Sequence, residues 1–437
     1  MTKDGGAAHM WSAYYDANPA RAWSTRLLGT FSRRAYYGPL APFRARSIPS
    51  GALPGRRWVR VRNALAGVSD DDLNLIHLAA SPRVSPMAAP RRRRTFLGRE
   101  VVGEVAEIGP DVEFLRIGDR VVYQMDQCCA TENVEPPCAQ CAAGNYMLCE
   151  NRYLPGPEAV GGGWSDEMVL HERQLFLVPD QLSDEQAALI APTASALHAI
   201  LRNQPPPGGQ ALVIGGGASG LLLIQALRAL QPNSAISVRP THGFQVGFAT
   251  QSGATNILES EDGAAAAHIS GAKHFKTRLG AELLVGGFDV VYDSLGSANS
   301  LEHALRWARE GGTAVLVGRR LAPVDADLTP LWHREITLAG VQAHGTENWP
   351  GGLGPSGWGV DGGRVSSFAL AAAMLRDRRI APERLITHRF PLREVRRAVA
   401  TAQDEATHRA VKIVLDMRAM PEYAREGSQS VAQEVAG

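Results

Sequence analysis

Outside positions 128–149 the chain has no cysteine, although it runs to 437 residues, and the five it does have crowd into that window. A disulfide framework spread over a secreted fold is thereby excluded. Lysine is scarce as well: Lys3, Lys273, Lys276 and Lys412 are the full complement, and the remaining basic charge is arginine. Excess charge of either sign is also missing, since Lys+Arg 45 against Asp+Glu 44 leave a formal +1. No strong field draws such a chain to nucleic acid or an anionic membrane. No apolar run reaches the ~18–20 residues of a membrane span, and the opening MTKDGGAAHMW lacks the charged-then-apolar order of a secretory signal. These absences lead to the expectation of a cytoplasmic protein with neither nucleic acid nor membrane among its partners. Hydrophobic residues at 45% and charged residues at 20% fit a folded globular chain. The length allows two or three domains of ~100–200 residues each.

The cysteines follow the pattern Cys129-x8-Cys138-x2-Cys141-x7-Cys149. Clustered thiols with a C-x-x-C core suit tetrahedral zinc, because thiolates are good ligands and the tight pair makes a chelating turn. Four thiolates close the coordination sphere. The expected zinc therefore holds a lobe of backbone, about residues 127–150, in place rather than doing chemistry. Unrelated buried or redox-active thiols are the alternative. Cys128 is the spare, and spacing alone leaves open whether it or Cys129 is the first ligand.

Residues 211–230, ALVIGGGASGLLLIQALRAL, read as a β-branched strand, a Gly215-x-Gly217-x-x-Gly220 turn and an apolar helix. The glycines permit a tight turn, close approach to a pyrophosphate and close packing of helix on strand, while the helix N-terminus offers free N–H groups to the phosphates. SAISV (234–238), FDVVYDSLG (288–296) and GGTAVLVG (311–318) follow as further strands with helical segments between them. Strands alternating with helices imply an α/β architecture with a doubly wound parallel sheet. Val317, at the end of the last of these strands, joins the glycines as an expected cofactor contact. Past the second strand, where NAD-binding sheets place an acidic residue for the ribose 2′-OH, the chain reads Val238, Arg239, Pro240, Thr241, His242. Arg239 and His242 could meet a 2′-phosphate, so NADP is expected, with NAD the alternative; a solvent-facing Arg239 is the plainer reading.

Taken together, LGREVVGEVAEIG (97–109), GDRVV (118–122), the cysteine run, GGGWSDEMVL (161–170), ALHAI (196–200), GGGASG (215–220) and ITHRFPL (386–392) form an ordered set. The chain resembles the zinc-containing medium-chain dehydrogenase/reductase superfamily, the relatives of alcohol and threonine dehydrogenases, over about residues 55–418. The resemblance implies a GroES-like, β-rich catalytic domain (1–195, including the zinc lobe), a Rossmann domain (196–343) and a return to the catalytic domain (344–437). It also implies a substrate cleft between domains, a small-molecule substrate and a homodimer or homotetramer. The opening MWSAYYDANPARAW reads as diverged first strands, and the glycine-rich segment 349–363 as a loop.

The family's zinc-type members carry a Cys in a G-x-C-x-[ST]-D segment, a His in GHE, and a Cys or Glu before the helix that leads into the Rossmann domain. Here the corresponding positions are Ser69, Arg99 (in Gly98-Arg99-Glu100) and Ala191. Serine is a poor zinc ligand, alanine is none, and arginine brings a fixed positive charge. The catalytic zinc is therefore expected to be absent. The usual proton relay is broken too, with Asp71 at its hydroxyl position and Asn74 at its histidine. Arg99 is expected in a cleft beside Asp72 and Glu100, either as a buried ion pair or as a group that binds a substrate carboxylate or carbonyl oxygen. Asp71 or Ser69 would then donate a proton, unless Asp70, Asp71 and Asp72 simply complement a helix dipole. Arg91–Arg94 form a dense basic run that reads as a solvated loop, or as a preference for an anionic substrate if it faces the site. His77 and His198 read as core or interface residues, His171 as exposed. The expected activity is a metal-free, NADP-dependent reduction of a polarised C=C or C=N bond. The rivals are an alcohol dehydrogenase with a non-standard metal site and a redox-neutral lyase, cyclase or binding protein.

Overall fold

The computed structural model describes residues 8–81, 93–153, 159–276, 278, 282–319, 321–349 and 363–419. The chain divides into two units, one made of residues 1–127, 154–189 and 386–437, the other of 128–153 and 190–385.

The first unit is built on a seven-stranded sheet. Its path runs Ile386–Pro391, Lys412–Asp416, Trp58–Gly67, Val101–Ile108, Arg120–Tyr123 and Leu175–Leu177, with Glu167–His171 also pairing to Trp58–Gly67. All pairings but the first are antiparallel. Val59, Val61, Val101, Val105, Val121, Trp164, Met168 and Leu415 form the core, as expected where β-branched residues recur at period two on one face of a sheet. The opening segment gives one strand, His9–Asp16, flanked by Phe43–Pro49 and Arg94–Phe96 in a small sheet. The rest of that segment is helical: Asn18 caps the helix Pro19–Gly29 by accepting from Ala20 N and Arg21 N.

The second unit contains the six-stranded sheet, and every pair in it is parallel. The order is Asn256–Ile257, Ala235–Arg239, Gln210–Ile214, Phe288–Asp293, Ala308–Leu316, Thr337–Gly340. The chain thus winds outward from Gln210–Ile214 in one direction and from Phe288–Asp293 in the other, which puts the topological switch point between those two strands. The expected strands are all found, shifted by a few residues at their ends.

The expected domain limits differ from this division at three segments. The cysteine segment 128–153, residues 190–195 and residues 344–385 group with the parallel sheet. Local contacts explain why: Thr346 Oγ1 donates to Gly144 O at 3.1 Å and Arg364 Nη2 to Ala143 O at 2.7 Å, stitching the lobe to the hairpin Thr346–Asn348/Arg364–Ser366.

Candidate functional site

The cysteine lobe converges on four sulfurs. Cys129, Cys138, Cys141 and Cys149 have ligand atoms all within 4.8 Å of one another, and Cys129 Sγ lies 3.8 Å from Cys149 Sγ. Zinc at ~2.3 Å from each sulfur gives tetrahedral S···S edges of about 3.8 Å, so the residues fit the metal. Donors surround the sulfurs: Cys138 N reaches Cys129 Sγ at 3.4 Å, Cys141 N reaches Cys138 Sγ at 3.4 Å, and Asn151 supplies its backbone N to Cys149 Sγ and its Nδ2 to Cys129 Sγ. The N–H groups of Cys141 and Glu150 pull the Cys138 thiol down to about 6, whereas burial pushes the Cys141 and Cys149 thiols up. Of the two neighbours, Cys129 joins the cluster, and Cys128 is buried outside it with its N bonded to Thr131 Oγ1.

The glycine turn fits a dinucleotide. Gly215 has φ +108°, which only glycine adopts readily, and its N donates to Arg239 O at 2.8 Å. A Cβ on Gly220 would stand 2.0 Å from Gly215 O, so this glycine lets the helix Ala218–Leu230 press on the strand. A Cβ on Gly217 would meet nothing within 4 Å, which leaves open space at the helix N-terminus for a pyrophosphate. Val317 N donates to Asp293 O at 2.9 Å, at the same carboxyl edge of the sheet. His242 is half-buried, stacked on Phe244, and Gln245 Oε1 accepts from His242 N and Thr241 N. Arg239 is neither solvent-facing nor unpartnered: it is 8% exposed and ion-paired with Glu261, and burial lowers its pKa.

The third cluster lies in the first unit, at the positions where the zinc-type enzymes carry metal ligands. Ser69 caps the helix Asp70–Ile76. Its hydroxyl donates to Asp72 Oδ2 at 2.7 Å and its N to the same oxygen at 3.3 Å. Asp72 Oδ1 accepts from Gly98 N at 2.8 Å. Burial pushes the Asp72 carboxyl up against these donors. The three aspartates are thus the first turn of a helix, where their charge favours the dipole, and Asp71 is half-buried among them. Gly98 has φ +84°, and a Cβ there would strike Trp164, whose indole N donates to Gly67 O at 3.0 Å. This packing fixes the turn that presents Arg99.

Arg99 corrects the expectation in two ways. Its side chain is 51% exposed rather than buried, and its ion-pair partner is Asp126, with Nη1 to Oδ2 at 2.8 Å; the expected neighbour Asp72 acts on it through charge rather than as that partner. Tyr123 Oη donates to the other oxygen of Asp126 at 2.5 Å. Asp126 beside it holds the guanidinium above its ordinary pKa. Asp72 is occupied as described, and Glu100 pairs with the buried Lys412, whose Nζ also donates to Val68 O at 2.9 Å. Burial pushes Glu100 upward, and Lys412 opposes it. Among the described residues, the clusters of His, Cys, Asp or Glu able to hold a metal are the four cysteines and a separate Asp262, His274, Glu282 trio; neither includes Asp71 or Glu100. Arg99 and Ala191 offer no side-chain ligand for zinc at their positions. Ala191 lies in the helix Ile190–Arg202 of the other unit and offers only its carbonyl, to Ser195 Oγ.

The histidines divide. His198 is buried, with Nδ1 2.6 Å from Glu347 Oε1. His77 is half-buried and packs edge-on against Tyr36. His171, expected to be exposed, is 3% exposed and accepts from Arg173 N. Arg91, Arg92 and residues 350–362 lie outside the described residues; Arg94 stacks over Tyr14. Asp126, Tyr123 and Glu261 were not singled out from the sequence, since no motif marks them.

A parallel sheet with a glycine cradle at its switch point, together with a four-thiolate lobe, defines a dinucleotide-binding protein with a zinc module. Comparison with known proteins agrees. The alcohol dehydrogenase GroES-like domain matches residues 55–180, and the zinc-binding dehydrogenase domain matches 218–354. (R,R)-butanediol dehydrogenase of Bacillus subtilis is 31% identical over 298 residues, covering 66% of this chain and 77% of that protein. Sorbitol dehydrogenase of the same organism is 29% identical over 223 residues, 51% of this chain, and the match spans only 58% of that relative's length. A zinc-binding dehydrogenase of Sinorhizobium meliloti, solved with NADP, shares the fold with a TM-score of 0.65 at 21% identity, over 94% of this chain and 99% of that one. The chain belongs to the zinc-containing medium-chain dehydrogenase/reductase superfamily. That places it among oxidoreductases that work with a nicotinamide nucleotide and zinc. No helix among the described residues is long and apolar enough to cross a membrane.

Proposed function

We propose that the protein is an NADP(H)-dependent reductase that works without a catalytic zinc and reduces a polarised C=C or C=N (iminium) bond of a small metabolite, in specialised metabolism. Arg99 carries this reading: a half-exposed guanidinium, oriented by Asp126 and Tyr123, stands where the zinc-type enzymes have a metal-binding histidine. Bound nicotinamide supplies the hydride. For a conjugated C=C bond the arginine supplies N–H donors to the carbonyl oxygen, which gains negative charge as hydride arrives; an iminium is neutralised by hydride, and there the arginine serves a carboxylate that anchors an anionic substrate. A simple ketone without a Lewis acid loses several kcal/mol of charge stabilisation, whereas a conjugated alkene or iminium accepts hydride more readily. For the proton, Asp71 stands ahead of Ser69, whose hydroxyl is bonded to Asp72. Arg239, with no carboxylate in residues 239–242, supports NADP over NAD. The four thiolates then hold a zinc whose role is structural only, in a cytoplasmic homodimer or homotetramer.

NADPH oxidation over a panel of enones and cyclic imines tests the proposal. Turnover of one class supports it; intact NADPH binding with no turnover overturns the redox claim. The relatives' names favour a second reading, a polyol or alcohol dehydrogenase with an unusual metal site. Alcohol-dependent reduction of NADP that a chelator abolishes would establish that one instead.

A further inference from the structure

Arg239 ends the strand Ala235–Arg239, in register with Ile214, the residue just before the glycine turn, and its carbonyl receives the N–H of Gly215. Its backbone is therefore anchored beside the nucleotide cradle. Its side chain is only 10% exposed, whereas its ion-pair partner Glu261 is 55% exposed. The cation is built in, and the anion reaches it from the surface. Another carboxylate acts on Arg239 electrostatically, that of Asp293, but its oxygens accept from Leu295 N, Gly296 N and Ser300 Oγ. Asn299 Nδ2 also donates to Glu261, at 3.1 Å. A buried guanidinium is costly without an anion, so the position on Arg239 is one the fold keeps filled.

We infer that Glu261 is an internal stand-in for the 2′-phosphate of NADP(H): its carboxylate holds the anion position on Arg239 and is displaced by the phosphate, so that Glu261 sets the discrimination between 2′-phosphorylated and unphosphorylated nucleotides. This rests on the reading of Arg239 as the 2′-phosphate group's partner. A phosphate monoester carries about −1.5 to −2 charges and three acceptor oxygens, enough to replace one exposed carboxylate on a forked donor. A ribose hydroxyl carries no charge and leaves the Glu261 pair intact. Every molecule of 2′-phosphorylated cofactor must therefore break the Arg239–Glu261 contact, and NAD need not.

The test is calorimetric titration of 2′,5′-ADP and 5′-AMP into the full-length protein, its Glu261→Gln variant and its Arg239→Gln variant. The expected result is that Glu261→Gln binds 2′,5′-ADP about fivefold more tightly than the parent, the size of one exposed ion pair, with 5′-AMP unchanged. Thermal shifts give a second readout: Glu261→Gln melts lower than the parent when free and gains more from 2′,5′-ADP. If the parent prefers 2′,5′-ADP, Arg239→Gln loses that preference and Glu261→Gln does not tighten it, the inference about Glu261 is wrong and the NADP reading stands. A preference absent in the parent but created by Glu261→Gln supports the inference and overturns the NADP reading. Equal affinities in all three proteins overturn both.

Discussion

Arg99 and Asp126 form the contact on which the proposed chemistry turns: Nη1 donates to Oδ2 at 2.8 Å, while Tyr123 Oη fixes the other carboxylate oxygen at 2.5 Å. One face of the guanidinium is thus held in place and half of the side chain remains exposed. An exposed ion pair contributes ~0–1 kcal/mol to stability, so the arrangement makes better sense as positioning than as a staple.

Arg99→Ala is expected to lower kcat/KM by about 10²–10³-fold, the usual loss for one preorganised donor, while the melting temperature stays within a few degrees of the parent. Asp126→Asn and Tyr123→Phe leave the guanidinium in place but loosen it, so smaller losses are expected. Steady-state kinetics with thermal melts decide the matter. Retained turnover with a lowered melting temperature assigns Arg99 to structure.

Two glycines of the same turn should respond in opposite ways. Gly217 has open space around its Cβ position and φ −73°, so Gly217→Ala is expected to fold normally and bind nucleotide at least tenfold more weakly, its methyl standing where the pyrophosphate approaches. Gly220→Ala forces a Cβ against Gly215 O and is expected to cost roughly 1–3 kcal/mol of stability as well as binding. Fluorescence titration with NADPH beside denaturant melts separates the two. Equal destabilisation by both contradicts the geometry of the cradle.

Burial, with the charge of Asp70, pushes the Glu405 carboxyl up to about 7. An acid whose folded-state pKa is raised favours the folded state while protonated. Its contribution is full below the unfolded value of 4.5 and is lost as pH rises toward 7. Glu405→Gln stays neutral throughout. It should stabilise the protein at pH 8 by on the order of 1 kcal/mol, discounted for partial exposure, and do little at pH 4. Urea midpoints at the two pH values check this; the same shift at both would contradict it.

Much of the fold could be read directly from local pattern. The run ALVIGGGASGLLLIQAL carries strand, turn and helix in consecutive residues, and each glycine has a local steric reason. The thiolate cluster was legible for the same reason, because its ligands lie within a short stretch, although only the folded lobe separates Cys129 from Cys128. The partners of charged residues were not legible. Asp126 follows the strand Arg120–Tyr123 and meets Arg99 only through the pairing of Arg120–Tyr123 with Val101–Ile108. Glu261 reaches Arg239 from beyond the next strand, Asn256–Ile257. His171 alternates into a buried position because Glu167–His171 pairs with Trp58–Gly67, whose Trp58 lies edge-on to its ring. Long-range pairing decides all three, and no spacing rule encodes it.

Hydride transfer at Arg99 with zinc confined to the thiolate lobe is checked by zinc per chain, measured by native mass spectrometry under reducing conditions. The account predicts one zinc in the parent and in Arg99→Ala, and none in Cys141→Ser, whose lobe should also melt earlier. Two zincs in the parent, with one surviving in Cys141→Ser, would contradict it and reveal a catalytic ligand set other than Ser69, Arg99 and Ala191.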